Sequence, residues 1–388
     1  MLANPVKQLD NSYQDILELA ATVPADQWHL QFHPDLSPVG WHVGHCVFIE
    51  SYWLQHMLGS KPETENDLQN LYFPWLSPKH ERAKKIPELK NLINIAQDDH
   101  KHNLDLLNNL IEKNKDHALL NNNYLPEFLV QHYCQHIETL QQIILYTTLK
   151  RDWSKHECTF SIEPTEPRLP AISFSSAKTM AGCPENTFSY DNEIPRHENN
   201  IAAFSISRQA VTNSEYLGFM ESGGYQDKNY WDREGLDWLQ KTKNDAPIHW
   251  RKQLNNEWYC LEYGKPENLK PDTAVYGINH FEARAFTRYA GCRLPAEIEW
   301  EHAVTHNGGY DLEIGQAWEW CQNYFYPYPG FTAFPYENYS KPWFDNQHYT
   351  LRGGSIYTDA RIKRPSFRNF YTPEKRHIFA GLRLAISQ

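Results

Sequence analysis

The sequence predicts an all-α four-helix bundle in its first half and an α+β domain in its second half. Residues 1–150 contain four long segments whose apolar residues recur with the 3.6-residue period of a helix. Residues 151–174 break this pattern with prolines and are interpreted as a linker. Residues 175–388 have short apolar runs, many aromatic residues and frequent Gly, Pro and Asn, which indicates a compact α+β domain.

The first two helices have recognisable ends. The first is predicted from Leu9 to Val23 and stops before a proline. The second, from Ser37 to about Leu58, begins with a capping residue followed by proline in the first turn. Its middle stripe consists of Trp41, His45, Phe48 and Tyr52, with His42 on the adjacent row.

A long loop is predicted next, between Gly59 and about Ile86. Its aromatic density, highest at residues 70–75, favours a functional role. The third and fourth helices are predicted at Pro87–Lys113 and Pro126–Leu149. Facing helices of such a bundle can build a metal site in its core.

The fourth helix carries the motif on which the functional interpretation depends. His132 and His136 lie four residues apart, so their rings stand on one face and can both bind one transition metal. Glu138 lies about 200° around the helix from His136 and cannot easily join them. A third ligand must come from another helix, where His42 and His45 are both candidates and His45 is better centred. The alternative for such a pair is packing or hydrogen bonding.

Composition restricts the class of protein. The 388 residues carry a formal net charge of −11 and no basic run, which argues against a nucleic-acid partner. The seven cysteines follow no disulfide spacing, which suits a reducing cytosol. The first ten residues lack the apolar core of a signal peptide, and no apolar run approaches the length of a membrane span. We therefore expect a soluble cytoplasmic protein without a membrane partner.

In the second half, one clear helix is predicted at Glu282–Tyr289 and another is expected to begin at Pro295. Six sequence blocks of this half stand out, at residues 211–216, 277–279, 292–301, 318–320, 351–355 and 381–384. In these blocks and their order, this half resembles the C-terminal domain of the formylglycine-generating-enzyme superfamily, whose fold is related to C-type lectin-like domains. The alternative role for each block is purely structural. Formylglycine-generating enzymes carry cysteines shortly after the Gly-Gly-Ser block, and residues 356–369 contain none, so we do not expect oxidation of a peptidyl cysteine.

The first half resembles a DinB-type bundle. Residues 37–45 and 132–138 resemble the iron site of the sulfoxide synthases of ergothioneine and ovothiol biosynthesis. In that family a DinB-like bundle is fused to this same C-terminal domain, and the fusion is the specific signal because either domain alone serves many functions.

The resemblance implies that His45, His132 and His136 hold iron(II), with positions left for a thiolate and dioxygen. His42 would then be a neighbour of the site. The implied reaction joins a thiol sulfur to the imidazole C2 of hercynine and leaves a sulfoxide.

The resemblance also implies substrate contacts. Gln135 would bind the imidazole of the acceptor, and Asn369 and Phe370 would hold the betaine end of hercynine, although Phe370 could simply be a core residue. Enzymes that use γ-glutamylcysteine tend to have an acidic residue at the position of Tyr371 and an arginine at that of Lys375. Cysteine is therefore the expected thiol, and γ-glutamylcysteine the alternative.

Three further residues have implied roles. Tyr72 resembles a proton-donating tyrosine in the long loop of the cysteine-using branch, with an aromatic wall as the alternative. Arg82 and Arg376 are candidates for binding the carboxylate of the thiol substrate, with surface salt bridges as the alternative.

Four rival functions stay open. The same chemistry with histidine as acceptor would be ovothiol-type, and a selenium donor would make a selenoneine synthase. A DinB-like thiol transferase or hydrolase with zinc or nickel would consume no dioxygen. A lectin-like binding module would leave two histidines in a helix core unexplained.

Overall fold

A computed structural model describes residues 4–57, 67–113, 117–153, 160–253, 255–262, 264–306 and 312–388. The chain forms two compact units, Met1–Lys150 and Arg151–Gln388. The predicted end of the second helix at Leu58, residues 59–66 of the predicted loop and residues 154–159 of the interpreted linker lie outside the described residues. Within these ranges, no helix is both long and apolar enough to cross a membrane.

The first unit is helical, as predicted. Its helices are α1 (Pro5–Ala20), α2 (Val39–Met57), α3 (Asp67–Tyr72), α4 (Lys79–Lys85), α5 (Leu89–Lys113) and α6 (Tyr124–Leu149). The prediction of an irregular loop up to Ile86 was wrong, because α3 and α4 lie within it. Helices of one or two turns are too short to show a helical period in the sequence.

Packing within the bundle places α2 and α6 side by side. The Asn4 side chain caps α1 by accepting a hydrogen bond from the backbone N–H of Val6 at 3.0 Å. The apolar stripe of α1, which includes Leu9 and Ile16, is buried. Helix α1 packs mainly against α6, while α2 packs against both α5 and α6. The histidines of α2 and α6 therefore face a shared interior.

The second unit contains α7 (Asn213–Glu221), α8 (Arg233–Thr242), α9 (His280–Tyr289) and α10 (Glu297–Thr305). The last two correspond to the predicted helices, whereas α7 and α8 were not predicted. A signal for α7 was available, since Thr212 and Glu215 form a capping box: the Glu215 carboxylate accepts from the Thr212 N–H at 2.7 Å.

Strands complete this unit. They are β1 (Ile172–Phe174), β2 (Ala177–Ala181), β3 (His197–Ile201), β4 (Phe204–Ile206), β5 (Trp250–Lys252), β6 (Trp258–Glu262), β7 (Lys265–Asn268), β8 (Trp318–Tyr324), β9 (Tyr349–Arg352), β10 (Asn369–Tyr371), β11 (Ala380–Gly381) and β12 (Ala385–Ser387). Among the described residues they form small sheets with the orders β1-β4-β12, β10-β9-β8-β11, β2-β3 and β5-β6-β7. The pairs are antiparallel except for β11 with β8. The predicted α+β class is confirmed.

Buried ion pairs connect the recognisable blocks of this unit. The Arg383 guanidinium donates to both carboxylate oxygens of Glu319, at 2.7 and 2.8 Å, and the Trp300 indole N–H donates to the same carboxylate at 2.6 Å. Arg352 donates to Glu297 at 3.2 Å. These residues come from the blocks at 292–301, 318–320, 351–355 and 381–384, so those blocks have a structural role here.

We expect Arg383→Met to lower the free energy of unfolding by about 3–5 kcal/mol, because the Glu319 carboxylate would stay buried without its partner. Calorimetric and denaturant-induced unfolding would measure this change. The matched control is Lys178→Met, which breaks the exposed Lys178–Glu198 pair and should change stability by less than about 1 kcal/mol. Equal effects of the two substitutions would contradict a structural role for the buried pair.

Candidate metal centre

Three imidazoles meet between α2 and α6. One ring nitrogen from each of His45, His132 and His136 lies within 4.8 Å of the other two. The His45 and His132 Nε2 atoms are 3.1 Å apart. His45 is buried, while His132 and His136 are partly exposed. The structure thus brings together the three histidines that the sequence singled out as metal ligands.

The His45 ring is held in one orientation. Its Nδ1 donates a hydrogen bond to the backbone carbonyl of Tyr72 at 2.7 Å, and a carbonyl can only accept. The proton is therefore on Nδ1 and the lone pair on Nε2, which faces His132. The Trp41 ring stacks on His45 with centroids 4.4 Å apart and planes 11° from parallel. These contacts fix the tautomer and direction that metal binding requires.

His42 contacts the site without belonging to the group of three. Its Nδ1 lies 2.7 Å from the Nδ1 of His136, so one of these nitrogens donates to the other. If His136 donates, its Nε2 keeps a lone pair for a metal ion. His42 is buried and is therefore a neighbour that orients His136.

Burial keeps these imidazoles neutral. It lowers the pKa of His132 to about 4 and that of His42 to about 3, and it holds the pKa values of His45 and His136 well below their usual range. Neighbouring histidines and Arg82 lower the pKa of His45 and His136 further. At neutral pH the rings are in the form that binds metals.

The geometry fits a transition-metal ion. Two imidazole nitrogens that each lie about 2.1 Å from one ion are about 3.0–3.4 Å apart, depending on the coordination geometry. The 3.1 Å separation of His45 and His132 Nε2 falls in this range. An all-imidazole donor set suits zinc, copper, iron and nickel. Glu138 is buried on α6 and does not belong to the group.

Tyr72 packs directly against α2, the helix that carries His45. It is buried on α3, and burial raises the pKa of its phenol to about 12. A Cβ added to Gly44 would lie 2.1 Å from the Tyr72 Oη, so the hydroxyl rests on the α2 backbone one residue before His45. The phenol therefore carries its proton at neutral pH. The role of Tyr72 as a proton donor stays a prediction.

Arg82 is engaged inside the bundle. Its Nε donates to the carbonyl of Ser77 at 2.9 Å, and its other nitrogens donate to the Ser37 Oγ and the Pro74 carbonyl. The guanidinium carbon lies 3.9 Å from the centre of the Trp41 ring. Arg82 thus joins the start of α2 to the α3–α4 connection. The role of Arg82 in binding a substrate carboxylate stays a prediction.

Arg376 also has an internal partner. Its Nε and one terminal nitrogen both donate to the Glu282 carboxylate at 3.0 Å, and that same nitrogen contacts the Ala246 carbonyl. These contacts engage the Nε side of the guanidinium fork. The role of Arg376 in binding a substrate carboxylate stays a prediction.

The remaining predicted substrate residues lie on regular elements. Gln135 is partly exposed on α6, and Asn369, Phe370 and Tyr371 form β10. The Asn369 Oδ1 accepts from the Phe370 N–H at 2.9 Å, which leaves the amide nitrogen of Asn369 as a donor. The Phe370 ring stacks on Phe325 at 4.3 Å and is partly exposed, so it is not simply a core residue.

Each of the two units matches a known protein family. Residues 170–313 and 305–388 match the model of the sulfatase-modifying factor enzyme 1-like domain. The chain belongs to this family. Residues 8–140 match the DinB superfamily. This combination is the architecture of hercynine oxygenases, so the predicted family resemblance and fold class are confirmed.

Several curated proteins are similar to this chain. Hercynine oxygenase of Mycolicibacterium thermoresistibile is 29% identical over 92% of this chain and 88% of its own length. Hercynine oxygenase of Mycobacterium tuberculosis is 34% identical over 51% of this chain and 56% of its own length. Ergothioneine biosynthesis protein 1 of Schizosaccharomyces pombe is 25% identical over 51% of this chain and 27% of its own length.

We expect alanine at His45, His132 or His136 to abolish binding of Co(II), used as a probe, because two imidazoles hold a divalent ion far more weakly than three. Alanine at His42 should weaken binding by about 10–100-fold through the loss of the contact with His136. Isothermal titration calorimetry would measure both effects. His80→Ala is the control, since the His80 side chain is 78% exposed. Full affinity in a variant of the three histidines would contradict the assignment.

Gly44→Ala should weaken Co(II) binding by about tenfold or more, because the new methyl group displaces Tyr72, whose carbonyl orients His45. The control is Gly40→Ala on the same helix, where the methyl would meet the Leu92 Cδ2 and Ile86 Cγ2 atoms at 3.1 and 3.3 Å and the Trp28 carbonyl oxygen at an ordinary contact distance of 3.5 Å. This control should change affinity by less than about twofold. Unchanged affinity in Gly44→Ala would show that Tyr72 does not position His45.

Proposed function

We propose that this protein is an iron(II)- and dioxygen-dependent sulfoxide synthase that acts on hercynine in ergothioneine biosynthesis. The observation that carries the proposal is the group of three neutral, converging imidazoles in a chain related over 92% of its length to a hercynine oxygenase. Cysteine is the proposed thiol, because Tyr371 lacks the negative charge, and Lys375 the guanidinium fork, of the residues expected for γ-glutamylcysteine.

The proposed reaction balances without an external reductant. The S–H bond of the thiol and the C2–H bond of the imidazole break, and a C–S bond and an S–O bond form. Dioxygen takes four electrons from these two groups. One of its oxygen atoms enters the sulfoxide, and the other leaves as water with the two released protons.

The histidines supply the environment in which this redox chemistry occurs. Iron(II), bound by His45, His132 and His136, would provide the one-electron chemistry that dioxygen needs and open positions for reactants. The Trp41 ring covers one face of His45 and excludes water from it. We assign to Tyr72 the transfer of a proton, since burial keeps its phenol protonated.

Substrate contacts are proposed for Gln135 on α6 and for Asn369 and Phe370 on β10. The Gln135 amide would hydrogen-bond to a ring nitrogen of the acceptor imidazole. The partly exposed Phe370 would offer its face to a trimethylammonium group, and the Asn369 amide nitrogen would donate to the hercynine carboxylate. A trimethylammonium contact would favour hercynine over histidine.

We expect the iron(II)-loaded protein to convert hercynine and cysteine to a sulfoxide with one dioxygen consumed per product. Mass spectrometry of the products and an oxygen electrode would measure both quantities. Parallel reactions with histidine, γ-glutamylcysteine and a selenium donor test the alternative substrates. A transferred thiol group without dioxygen consumption would overturn the proposal in favour of a DinB-like thiol transferase.

A further inference from the structure

A cluster of polar side chains lies inside the bundle, separate from the three histidines. Its centre is Glu50 on α2, which is fully buried. The Tyr133 hydroxyl donates to this carboxylate at 2.6 Å, and the Asn103 amide donates to it at 3.0 Å. The His100 Nδ1 lies 3.0 Å from both of its oxygens. Partners from α5 and α6 thus converge on one residue of α2.

Stability alone does not account for such a cluster. Moving a carboxylate from water to a bundle interior costs several kcal/mol before its partners offset the loss. Apolar residues of similar volume often give equal or greater stability, whereas buried polar groups can fix which arrangement of helices is adopted. The cluster is therefore a candidate for controlling how α2 and α6 are placed.

The positions of the residues show what the cluster controls. Glu50 lies five residues beyond His45, about 7.5 Å further along α2. Tyr133 directly follows His132 and lies about 100° around α6 from it. Helices α2 and α6 are thus joined at two levels, by His45 with His132 and by Glu50 with Tyr133. Fixing the Tyr133 hydroxyl fixes the rotation of α6 about its axis.

We propose that Glu50 and Tyr133 are positioning residues for the metal centre, whose hydrogen bond sets the rotation of α6 and so the placement of the His132 ring against His45. A rotation of about 10° moves an imidazole nitrogen by about 1 Å, because that atom lies well outside the Cα radius of the helix. Metal–ligand distances tolerate only about 0.2 Å. Small rotations therefore decide whether both rings reach one ion. The inference rests on the proposed function, since it assumes that these histidines bind metal.

The bundle also supplies matched controls. Tyr13 on α1 stacks on His100 with centroids 3.9 Å apart, and its buried hydroxyl has no hydrogen-bond partner in the part of the chain that the structure describes. Tyr13→Phe removes a buried phenol oxygen, as Tyr133→Phe does, without removing a bond to Glu50. Asn103 contacts Glu50 from α5, which carries none of the three histidines.

The test compares Tyr133→Phe, Tyr13→Phe and Asn103→Ala as full-length proteins. Calorimetric titration would give the Kd for Co(II), visible absorption would report the coordination of Co(II), and thermal unfolding would give the stability of the metal-free protein. We expect Tyr133→Phe to bind Co(II) about tenfold more weakly, with a changed absorption spectrum. Tyr13→Phe should stay within about twofold of the parent, and Asn103→Ala should lose stability with a similarly small change in Kd.

Two outcomes would overturn the inference. One is a Tyr133→Phe protein with the parent Kd and spectrum. The other is an Asn103→Ala protein that loses as much affinity as Tyr133→Phe, since general loosening of the bundle would then explain both. Failure of the unsubstituted protein to bind Co(II) is a different result, because it would contradict the proposed function itself.

Discussion

The candidate metal centre depends on one constraint. Its three imidazoles must stay neutral and direct their lone pairs at a common point inside a folded chain. Burial meets the first requirement by lowering the pKa of each ring. For two of the rings, a contact at Nδ1 helps to meet the second requirement. The Tyr72 carbonyl accepts a hydrogen bond from His45 Nδ1, and His42 contacts His136 Nδ1. The close packing of α2 and α6 then brings rings from both helices together. A single misdirected nitrogen would leave two ligands, too few to hold a catalytic ion firmly.

The two units differ in how their buried polar side chains are paired. In the second unit, arginines and glutamates form closed pairs, such as Arg383 with Glu319, in which the fork of each guanidinium is already used. In the first unit, the Nε2 atoms of His45 and His132 face one another at 3.1 Å, and both could bind one cation. This difference separates residues that hold the fold from residues that can bind a ligand.

Sequence periodicity was sufficient for the long helices and for the pair His132 and His136, because a four-residue spacing determines which side chains share a helix face. It left His42 and His45 open as the third ligand, since both lie on the inner side of α2, and only their contacts distinguish them. The pairing of Arg376 with Glu282 spans 94 residues and has no local signal. Glu50 had a local sequence signal, because its carboxylate stands alone in the apolar stretch of α2. The metal, the substrates and the roles of Tyr72 and Gln135 stay predictions.

The most direct test of this account is anomalous diffraction at the iron edge from crystals loaded with Fe(II) without dioxygen. The account predicts one strong peak about 2.1 Å from the Nε2 atoms of His45 and His132 and from a ring nitrogen of His136. A peak at other residues, or an ion bound by only one of the two helices, would contradict the assignment of the three histidines and with it the proposed oxygenase chemistry.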